Sequence, residues 1–377
     1  MRTPLLILGA ALLLATAGDA RPSPAGASLP AAIEASTTGC GTGWAHPHAG
    51  GQVLPVRNDG ATAADVMLID PASGAVYAEV EGLGPGVTRQ VRLTLGNGTY
   101  AFRCSDEAGG DPVTGRPTRI AGPAGGSPAI LPVTNNDLYA AGRAYTEYVT
   151  PGLDRLATKT DTLRAAVDDG DLDAARTAWT PAHLAYERLG AAYGTFGDFD
   201  GAINGSTAGL PGGVHDPGFT GFHRLEYGLW HGESAASLRK VADRLAKDVD
   251  GLKSDFPKQR MDPADLPLRA HEILENTLQF QLTGRADEGS GTTLKTAAAN
   301  IEGTREVLSV LRPVLRPRYQ RLPEVDTWLD RMDALLKGHS SVDRLSTAQR
   351  ERLNGAAGQL LELLAPVATI GEPRRTS

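Results

Sequence analysis

The sequence predicts two domains of different class, a small β-sandwich or Greek-key barrel followed by an all-α helical bundle. Short runs of alternating or β-branched residues, separated by Gly- and Asn-rich turns, fill residues 39–120. A Gly- and Pro-rich segment at 122–132 ends this pattern, and apolar residues then recur at helical spacing to the C-terminus. We therefore place the β domain at 36–122 and the helical domain at 133–370, as the length of 377 residues also favours.

The N-terminus predicts export. Arg2 precedes an apolar run at 5–17 that ends in a small-x-small pattern, which is typical of a secretory signal peptide covering residues 1–20. The run is shorter than an ordinary membrane span, although an uncleaved anchor is the alternative. Residues 21–35 are predicted to be a linker, and the mature protein is expected in the periplasm, at the cell surface or outside the cell.

Composition and motifs exclude several classes of function. A net charge of -7, without a basic stripe, argues against a nucleic-acid partner. No later apolar segment is long enough for a direct membrane span. P-loop, nucleophile-elbow and dinucleotide-binding patterns are absent from the sequence.

Turn residues divide the β domain into five predicted strands, at 52–56, 64–69, 75–79, 88–95 and 99–103. The Asn97-Gly98 pair predicts a hairpin between the last two of them. Cys40 and Cys104 predict a disulfide, because exported cysteine pairs are oxidised by default. The alternative is a two-thiolate metal site that includes Met67 from a neighbouring strand.

The helical domain is expected to be an antiparallel bundle, because its helices are joined by short connections. Proline residues inside the periodic segments predict kinks or breaks. The predicted helices are 136–150 continuing to 167 beyond Pro151, 171–193 with a kink at Pro181, 219–230, 234–253 with Ser234 as N-cap, 262–282, 292–315 broken by Pro313, 324–336, and 347–364 before Pro366.

The segment 219–230 contains the strongest candidate site. His223 and Glu226 are three residues apart on a predicted helix, so their side chains project from neighbouring positions on one face. The adjoining residues are apolar, and two unpaired polar groups would be costly there. The pair therefore forms a salt bridge or binds a cation. The second histidine of the zinc-protease pattern H-E-x-x-H is absent.

Other carboxylates are candidates for additional metal ligands. Glu187 shares a helix face with Trp179, so it points inward, either as a site residue or as the ion-pair partner of Arg188 or another helix. Asp198 and Asp200 are either turn residues or candidates to reach His223 and Glu226. Carboxylates with one imidazole suit Fe or Mn, while Zn also fits. His271 and Glu275, one turn apart, are more simply a surface pair.

Three segments together resemble a known family. They are Trp179 with Tyr186-Glu187-Arg188, Phe196-Gly197-Asp198-Phe199-Asp200, and Phe219-Thr220-Gly221-Phe222-His223-Arg224-Leu225-Glu226 with Leu229-Trp230. They resemble the imelysin-like domain of EfeO-type iron-uptake proteins. The β region, closing on Gly98-Thr99-Tyr100-Ala101-Phe102-Arg103-Cys104, resembles the cupredoxin-like module of the two-domain members. The resemblance implies a cupredoxin-like β-sandwich and an imelysin-like double helical bundle with a metal site in a central cleft.

The resemblance also implies a function. A protein of this family is expected to be a non-enzymatic, exported component that binds iron, as Fe2+ or Fe3+, in the helical domain and passes it to a membrane permease. A haem-containing, peroxidase-like protein would be a further partner. Copper and zinc are the alternative metals. By the same resemblance, the metal ligands are His223, Glu226, Glu187 and Asp200.

Two departures from the family pattern limit this expectation. Asn204 stands where the family commonly has Asp, which removes one carboxylate. Met67 lies at or near the acidic position of the β domain, which leaves either a soft site with Cys40 and Cys104 or a plain disulfide. The alternative functions are a metallopeptidase that uses the same His-x-x-Glu ligands with a bound water, and a surface interaction protein whose polar cluster is structural.

Overall fold

The computed structural model describes residues 32–106, 109–123 and 125–374. The predicted order, a β domain followed by a helical domain, is confirmed. The predicted signal peptide and most of the predicted linker lie outside the described residues. Strand β1 nevertheless falls in the predicted linker, where it pairs in parallel with the next strand. The strands in the described part are β1 Ile33–Glu34, β2 Gly50–Arg57, β3 Ala64–Ile69, β4 Val76–Leu83, β5 Thr88–Leu95, β6 Gly98–Asp106, β7 Val113–Thr114 and β8 Thr118–Ile120.

The strands form two sheets, in the orders β1-β2-β5 and β4-β3-β6-β7, with β8 also paired to β6. Alternate residues such as Val66 and Leu68 face a shared core that contains Phe102. The expected hairpin at Asn97-Gly98 is wrong, because β5 pairs with β2 whereas β6 pairs with β3. The turn instead carries the chain from one sheet to the other, and the Asn97 N–H donates to Pro123 O at 3.0 Å.

Cys40 and Cys104 are joined by a disulfide that spans 64 positions, with a Cα–Cα distance of 5.8 Å. Cys104 shares its sheet face with Val66, directly opposite on β3. Met67, the next residue, points to the other face and packs in a separate cluster with Ile69. The alternative of a metal site built from both thiolates and Met67 does not fit this geometry.

We expect the Cys40→Ala/Cys104→Ala variant to destabilise the β domain by about 4 kcal/mol, because the cross-link restricts a long loop in the unfolded chain. Urea unfolding of both proteins measures this difference. Met67→Leu, a volume-conserving change on the opposite sheet face, is the control and should cost less than about 1.5 kcal/mol. Two titratable thiols in the unreduced, denatured wild type would contradict the disulfide itself.

Ten α-helices are present in the described residues, and short 3-10 turns lie in some of their connections. Long helices pack against one another around one apolar core, chiefly α1 on α2 and α6, and α10 on α7 and α9. None of the described helices is long and apolar enough to cross a bilayer. They are α1 Asn135–Asp168, α2 Leu172–Glu187, α3 Tyr193–Phe196, α4 Asp198–Asn204, α5 Gly221–Trp230, α6 Ala235–Asp255, α7 Asp265–Asn276, α8 Thr293–Leu315, α9 Leu322–Leu336 and α10 Thr347–Gly371.

The expected breaks at Pro151 and Pro313 and the expected helix end before Pro366 are wrong, because α1, α8 and α10 continue through these prolines. Helix α2 likewise continues through Pro181. A proline removes the hydrogen bond to the carbonyl four residues earlier. In all four helices that earlier residue is exposed, so water can hydrate the freed carbonyl. The pairs are Pro151 with Glu147, Pro181 with Thr177, Pro313 with Ser309, and Pro366 with Glu362.

The two domains meet along the segment that connects them. Val76 of β4 forms a β-bridge with Ile130, and Val133 forms another with Pro373 near the C-terminus. The Arg374 guanidinium pairs with the Glu79 carboxylate on β4 at 2.7 Å, with side chains only 9% and 15% exposed. A residue beyond the last helix is therefore bound to the β domain.

Candidate metal centre

Helix α2 brings His183 and Glu187 to one buried face. His183 Nε2 lies 3.1 Å from Glu187 Oε1 and 3.1 Å from Asn204 Oδ1, while its Nδ1 is buried without a partner. Asn204 Nδ2 donates to the same Glu187 oxygen at 2.8 Å. Trp179, one turn before His183, donates its indole N–H to Phe222 O at 2.9 Å and so fixes α2 against α5. Glu187 is thus held in place from two helices.

The residues that precede α5 explain the Thr-Gly pair of the sequence motif. Thr220 Oγ1 donates to Ala202 O of α4 at 2.9 Å. Gly221 has a φ of +77°, and a Cβ at this position would lie 2.1 Å from Ile203 O. Only glycine combines this backbone conformation with so close an approach. Helix α4, which carries Asp200 and Asn204, is therefore packed directly against the start of α5.

His223 and Glu226 form a buried pair on α5. His223 Nδ1 lies 3.2 Å from Glu226 Oε2, and the other carboxylate oxygen accepts the Ser290 N–H at 3.1 Å. Asp287 shapes that loop by accepting the N–H groups of Gly289 and Gly291. Among the described residues, His223 Nε2 has no hydrogen-bond partner. The imidazole therefore has one nitrogen engaged by a carboxylate and one left available.

A cavity of about 540 Å³ adjoins these helices. Three of the four predicted site residues line it, namely Glu187, Asp200 and His223. Glu226 does not line it and lies behind His223, with its side chain 1% exposed. The cavity is also lined by acidic, basic and amide side chains that the sequence analysis did not assign to the site: Asn204, Arg269, Glu272, Asn276, Gln281, Arg285, Glu288 and Asn300.

The protonation equilibria of the site follow from burial and pairing. Burial opposes the charged form of Glu187, but the hydrogen bond and charge of His183 outweigh it and keep the pKa of Glu187 below its usual value. The pKa of Glu226 is likewise lowered, against burial, by His223. The pKa of His223 is raised by Glu226, again against burial. Burial raises the pKa of Asp200. His223 and Glu226 thus each favour the charged form of the other.

The remaining candidates lie away from this cluster or support it indirectly. Tyr186 donates its hydroxyl to Asp200 Oδ1, and Asp198 is exposed. His271 Nδ1 lies 3.9 Å from Glu275 Oε2 on an outer part of α7, and neither residue lines the cavity. Within the described ranges, no group of three or more His, Cys, Asp or Glu side chains is placed closely enough to hold a metal ion.

The residue types at the cavity nevertheless fit a hard or borderline cation. An imidazole nitrogen and several carboxylates are the donors that iron and manganese use in proteins, and zinc accepts them too. His183 and Glu288 were not predicted from the sequence. A signal for His183 existed, because it lies one turn before Glu187 on the same helix face. Glu288 lies in a loop without periodicity, so nothing local indicated it.

We expect Asn204→Asp to lower the stability of the metal-free protein by about 1.5–3 kcal/mol, since it removes the hydrogen bond that Asn204 donates to the charged Glu187. It also places two carboxylates side by side, so a divalent cation should bind more tightly and restore the stability. Urea unfolding with and without Mn2+ measures both effects. Asn204→Ala, which lacks the added charge, is the control. Equal behaviour of the two variants would contradict the prediction.

Comparisons with known proteins identify relatives of this chain. The family model described as Imelysin, with the label Peptidase_M75, matches residues 141–367. The iron uptake system component EfeO of Escherichia coli O1:K1 / APEC is 30% identical over 300 residues, which cover 77% of this chain and 78% of the relative. The EfeO component of Escherichia coli strain K12 is 29% identical with the same coverage. A solved structure described as an iron-regulated protein A precursor, from Parabacteroides distasonis ATCC 8503, has 15% identity and a TM-score of 0.49, covering 63% of this chain and 96% of its own.

Proposed function

Because this chain belongs to the imelysin family and is of the EfeO type, we propose that it is an exported, iron-binding component of an iron uptake system. The observation that carries the proposal is the cavity into which α2, α4 and α5 bring Glu187, Asp200 and His223. The relatives are named as iron uptake components, and we therefore take iron as the metal. The types of donor atom at this cavity are compatible with iron. Iron is here the cargo of the protein.

We assign the roles at the site from the hydrogen bonds. His223 would bind iron through Nε2, because Nδ1 is engaged by Glu226. Glu226 would then orient the imidazole and raise its basicity, as second carboxylates do at many metal–histidine sites. Glu187 and Asp200 would supply oxygen ligands after small side-chain movements into the cavity. Glu288, which shares the cavity wall, would be a further carboxylate donor.

We propose that the protein binds iron without catalysing a reaction, despite the peptidase label of its family. The sequence lacks the second histidine of the zinc-protease pattern H-E-x-x-H, which in those enzymes is a metal ligand. A metallopeptidase would also need a carboxylate placed to act as a general base for a metal-bound water. A screen of peptide substrates with zinc- or iron-loaded protein tests this point, and sustained metal-dependent cleavage would favour the peptidase.

The partners and the location belong to the same proposal. The protein would work outside the cytoplasmic membrane, in the periplasm or at the cell surface, and would pass iron to a membrane permease. A haem-containing, peroxidase-like protein would be its other partner. The β domain would be a cupredoxin-like module closed by the Cys40–Cys104 disulfide, and it would serve these contacts rather than bind a soft metal.

The proposal is tested by locating iron in the protein. We expect the protein to bind one iron ion at the cavity, detected by anomalous diffraction at the iron edge in crystals soaked with Fe2+ under anaerobic conditions. The anomalous peak should lie within about 2.0–2.2 Å of His223 Nε2 and of carboxylate oxygens, as in other imidazole and carboxylate sites. A peak elsewhere, or no iron uptake in a parallel titration, would overturn the assignment.

A further inference from the structure

A second set of polar side chains lines the same cavity, and the proposed iron ligands do not explain it. It consists of two guanidinium groups and three amides, from Arg269, Arg285, Asn276, Gln281 and Asn300. A cavity for a bare cation gains nothing from positive side chains at its wall. Guanidinium and amide groups are, however, those that recognise carboxylates by directed hydrogen bonds.

The amides are positioned by an unusual turn of helix. Residues Thr277–Gln281 form a π-helical turn after α7, a feature that is frequent at functional sites. The turn is fixed by Asn300 Nδ2, which donates to the buried Thr277 Oγ1 at 3.0 Å. Gln281 at its end is only 9% exposed and lines the cavity, yet its Oε1 has no hydrogen-bond partner. This buried oxygen can therefore accept a hydrogen bond from a hydroxyl group of a ligand.

The two arginines differ in how they are paired. Arg269 Nη1 lies 2.7 Å from Glu272 Oε2, so its charge is largely neutralised by the protein. Arg285 has no ion pair within the part of the chain that the structure describes, and it lies at the exposed edge of the cavity. Its guanidinium is therefore free to bind an anionic group that enters with the metal.

The size of the cavity supports a ligand larger than an ion. Six waters around a metal ion occupy about 180 Å³, at about 30 Å³ for each water. The cavity of about 540 Å³ is three times as large, and it lies within the range of roughly 300–1,000 Å³ that is typical of small-molecule sites. Tyr193 and Phe280 add apolar surface to its wall, as such sites usually require.

We propose that the cavity accepts iron together with a small polycarboxylate chelator, and this inference rests on the proposed function. The iron of the complex faces His223 and Glu187, which replace part of its coordination shell. The outer carboxylates of the chelator receive hydrogen bonds from Arg285, and Gln281 Oε1 accepts one from a hydroxyl group of the chelator. The protein thus binds a ternary complex rather than stripping the metal from its carrier.

Equilibrium dialysis with radiolabelled citrate as the probe tests the proposal. We expect the wild-type protein to retain about one citrate per chain in the presence of Fe3+ and none in its absence. Gln281→Leu and Arg285→Ala should each weaken retention of ferric citrate by about 10-fold, the usual effect of losing one hydrogen bond. Their affinity for Fe2+ without a chelator should be unchanged.

Gln279→Leu is the matched control, because Gln279 is an exposed glutamine on the same turn that does not line the cavity. Arg285 is itself exposed, so its replacement leaves the core intact. If the protein supplied with ferric citrate retained the iron but not the citrate, the inference would be overturned. Equal retention by Gln281→Leu, Arg285→Ala and the control would also overturn it. A different outcome would overturn the proposed function itself, because a protein that does not bind iron would retain it neither from Fe2+ nor from ferric citrate.

Discussion

Replacement of His223 by alanine is expected to lower the affinity for iron by more than about 100-fold, whereas Glu226→Gln should lower it by about 10-fold. His223 is proposed to bind the metal directly, and changes to groups that only orient a ligand typically cost about 10–100-fold. The glutamine oxygen can still accept the Nδ1 proton of His223. Glu226→Ala cannot provide this contact, and its affinity for iron should lie between those of the other two variants. Anaerobic isothermal titration with Fe2+ gives the three affinities.

The order of these affinities distinguishes the two possible roles of Glu226. If Glu226 were a direct ligand, the glutamine and alanine variants would lose similar affinity, and this outcome would contradict its orienting role. His223→Ala also leaves the buried Glu226 carboxylate without its partner, which should destabilise the protein by about 3–5 kcal/mol. The double variant His223→Leu/Glu226→Leu removes both charges and is the control for folding. It should recover most of the stability without recovering iron binding.

The Gly221→Ala variant is expected to lose about 2–6 kcal/mol of stability, although Gly221 itself would not touch the metal. Its φ of +77° costs other residues about 1–3 kcal/mol. The new methyl group would also collide with Ile203 O, and such overpacking typically adds about 1–3 kcal/mol. The clash can be relieved only by moving α4 away from α5, which displaces Asp200. We therefore expect a combined loss of stability and of iron affinity.

Gly201→Ala is the matched control for this prediction. Gly201 lies on the exposed side of α4, and a Cβ there would meet no atom within 4 Å. Alanine is preferred to glycine inside helices by about 1 kcal/mol, so the control should be slightly stabilised. Urea unfolding and iron titration of both variants provide the measurement. If Gly221→Ala were as stable as Gly201→Ala, the close packing of α4 against α5 would be refuted.

Local sequence patterns predicted the longer elements of the fold well. The strands expected at 64–69 and 88–95 agree with β3 and β5, because both are bounded by turn residues. Strands β1, β7 and β8 were missed, since two or three residues are too few to show a period. The helices were predicted from their apolar spacing, but proline was given too much weight. A proline on the outer face costs a hydrogen bond that water can replace, and the sequence alone does not reveal which face is outer.

The candidate site was predictable only where the chain is locally regular. The inward direction of Glu187 follows from the helix face that it shares with Trp179, and His223 and Glu226 are neighbours on a single helix. The approach of Asp200 depends on the contact between Gly221 and α4, which no periodicity encodes. Glu288 and Gln281 come from segments 50 or more residues beyond α5, and tertiary packing alone brings them to the cavity.

The pairing of Arg374 with Glu79 also constrains the order in which the protein assembles. The two residues are 295 positions apart, and Arg374 follows the last helix. Synthesis proceeds from the N-terminus, and domains generally fold as units in that order. The β domain must therefore fold while the largely buried Glu79 still lacks its countercharge. This contact between the two domains can form only after Arg374 has been synthesised, so it is a late step of their docking.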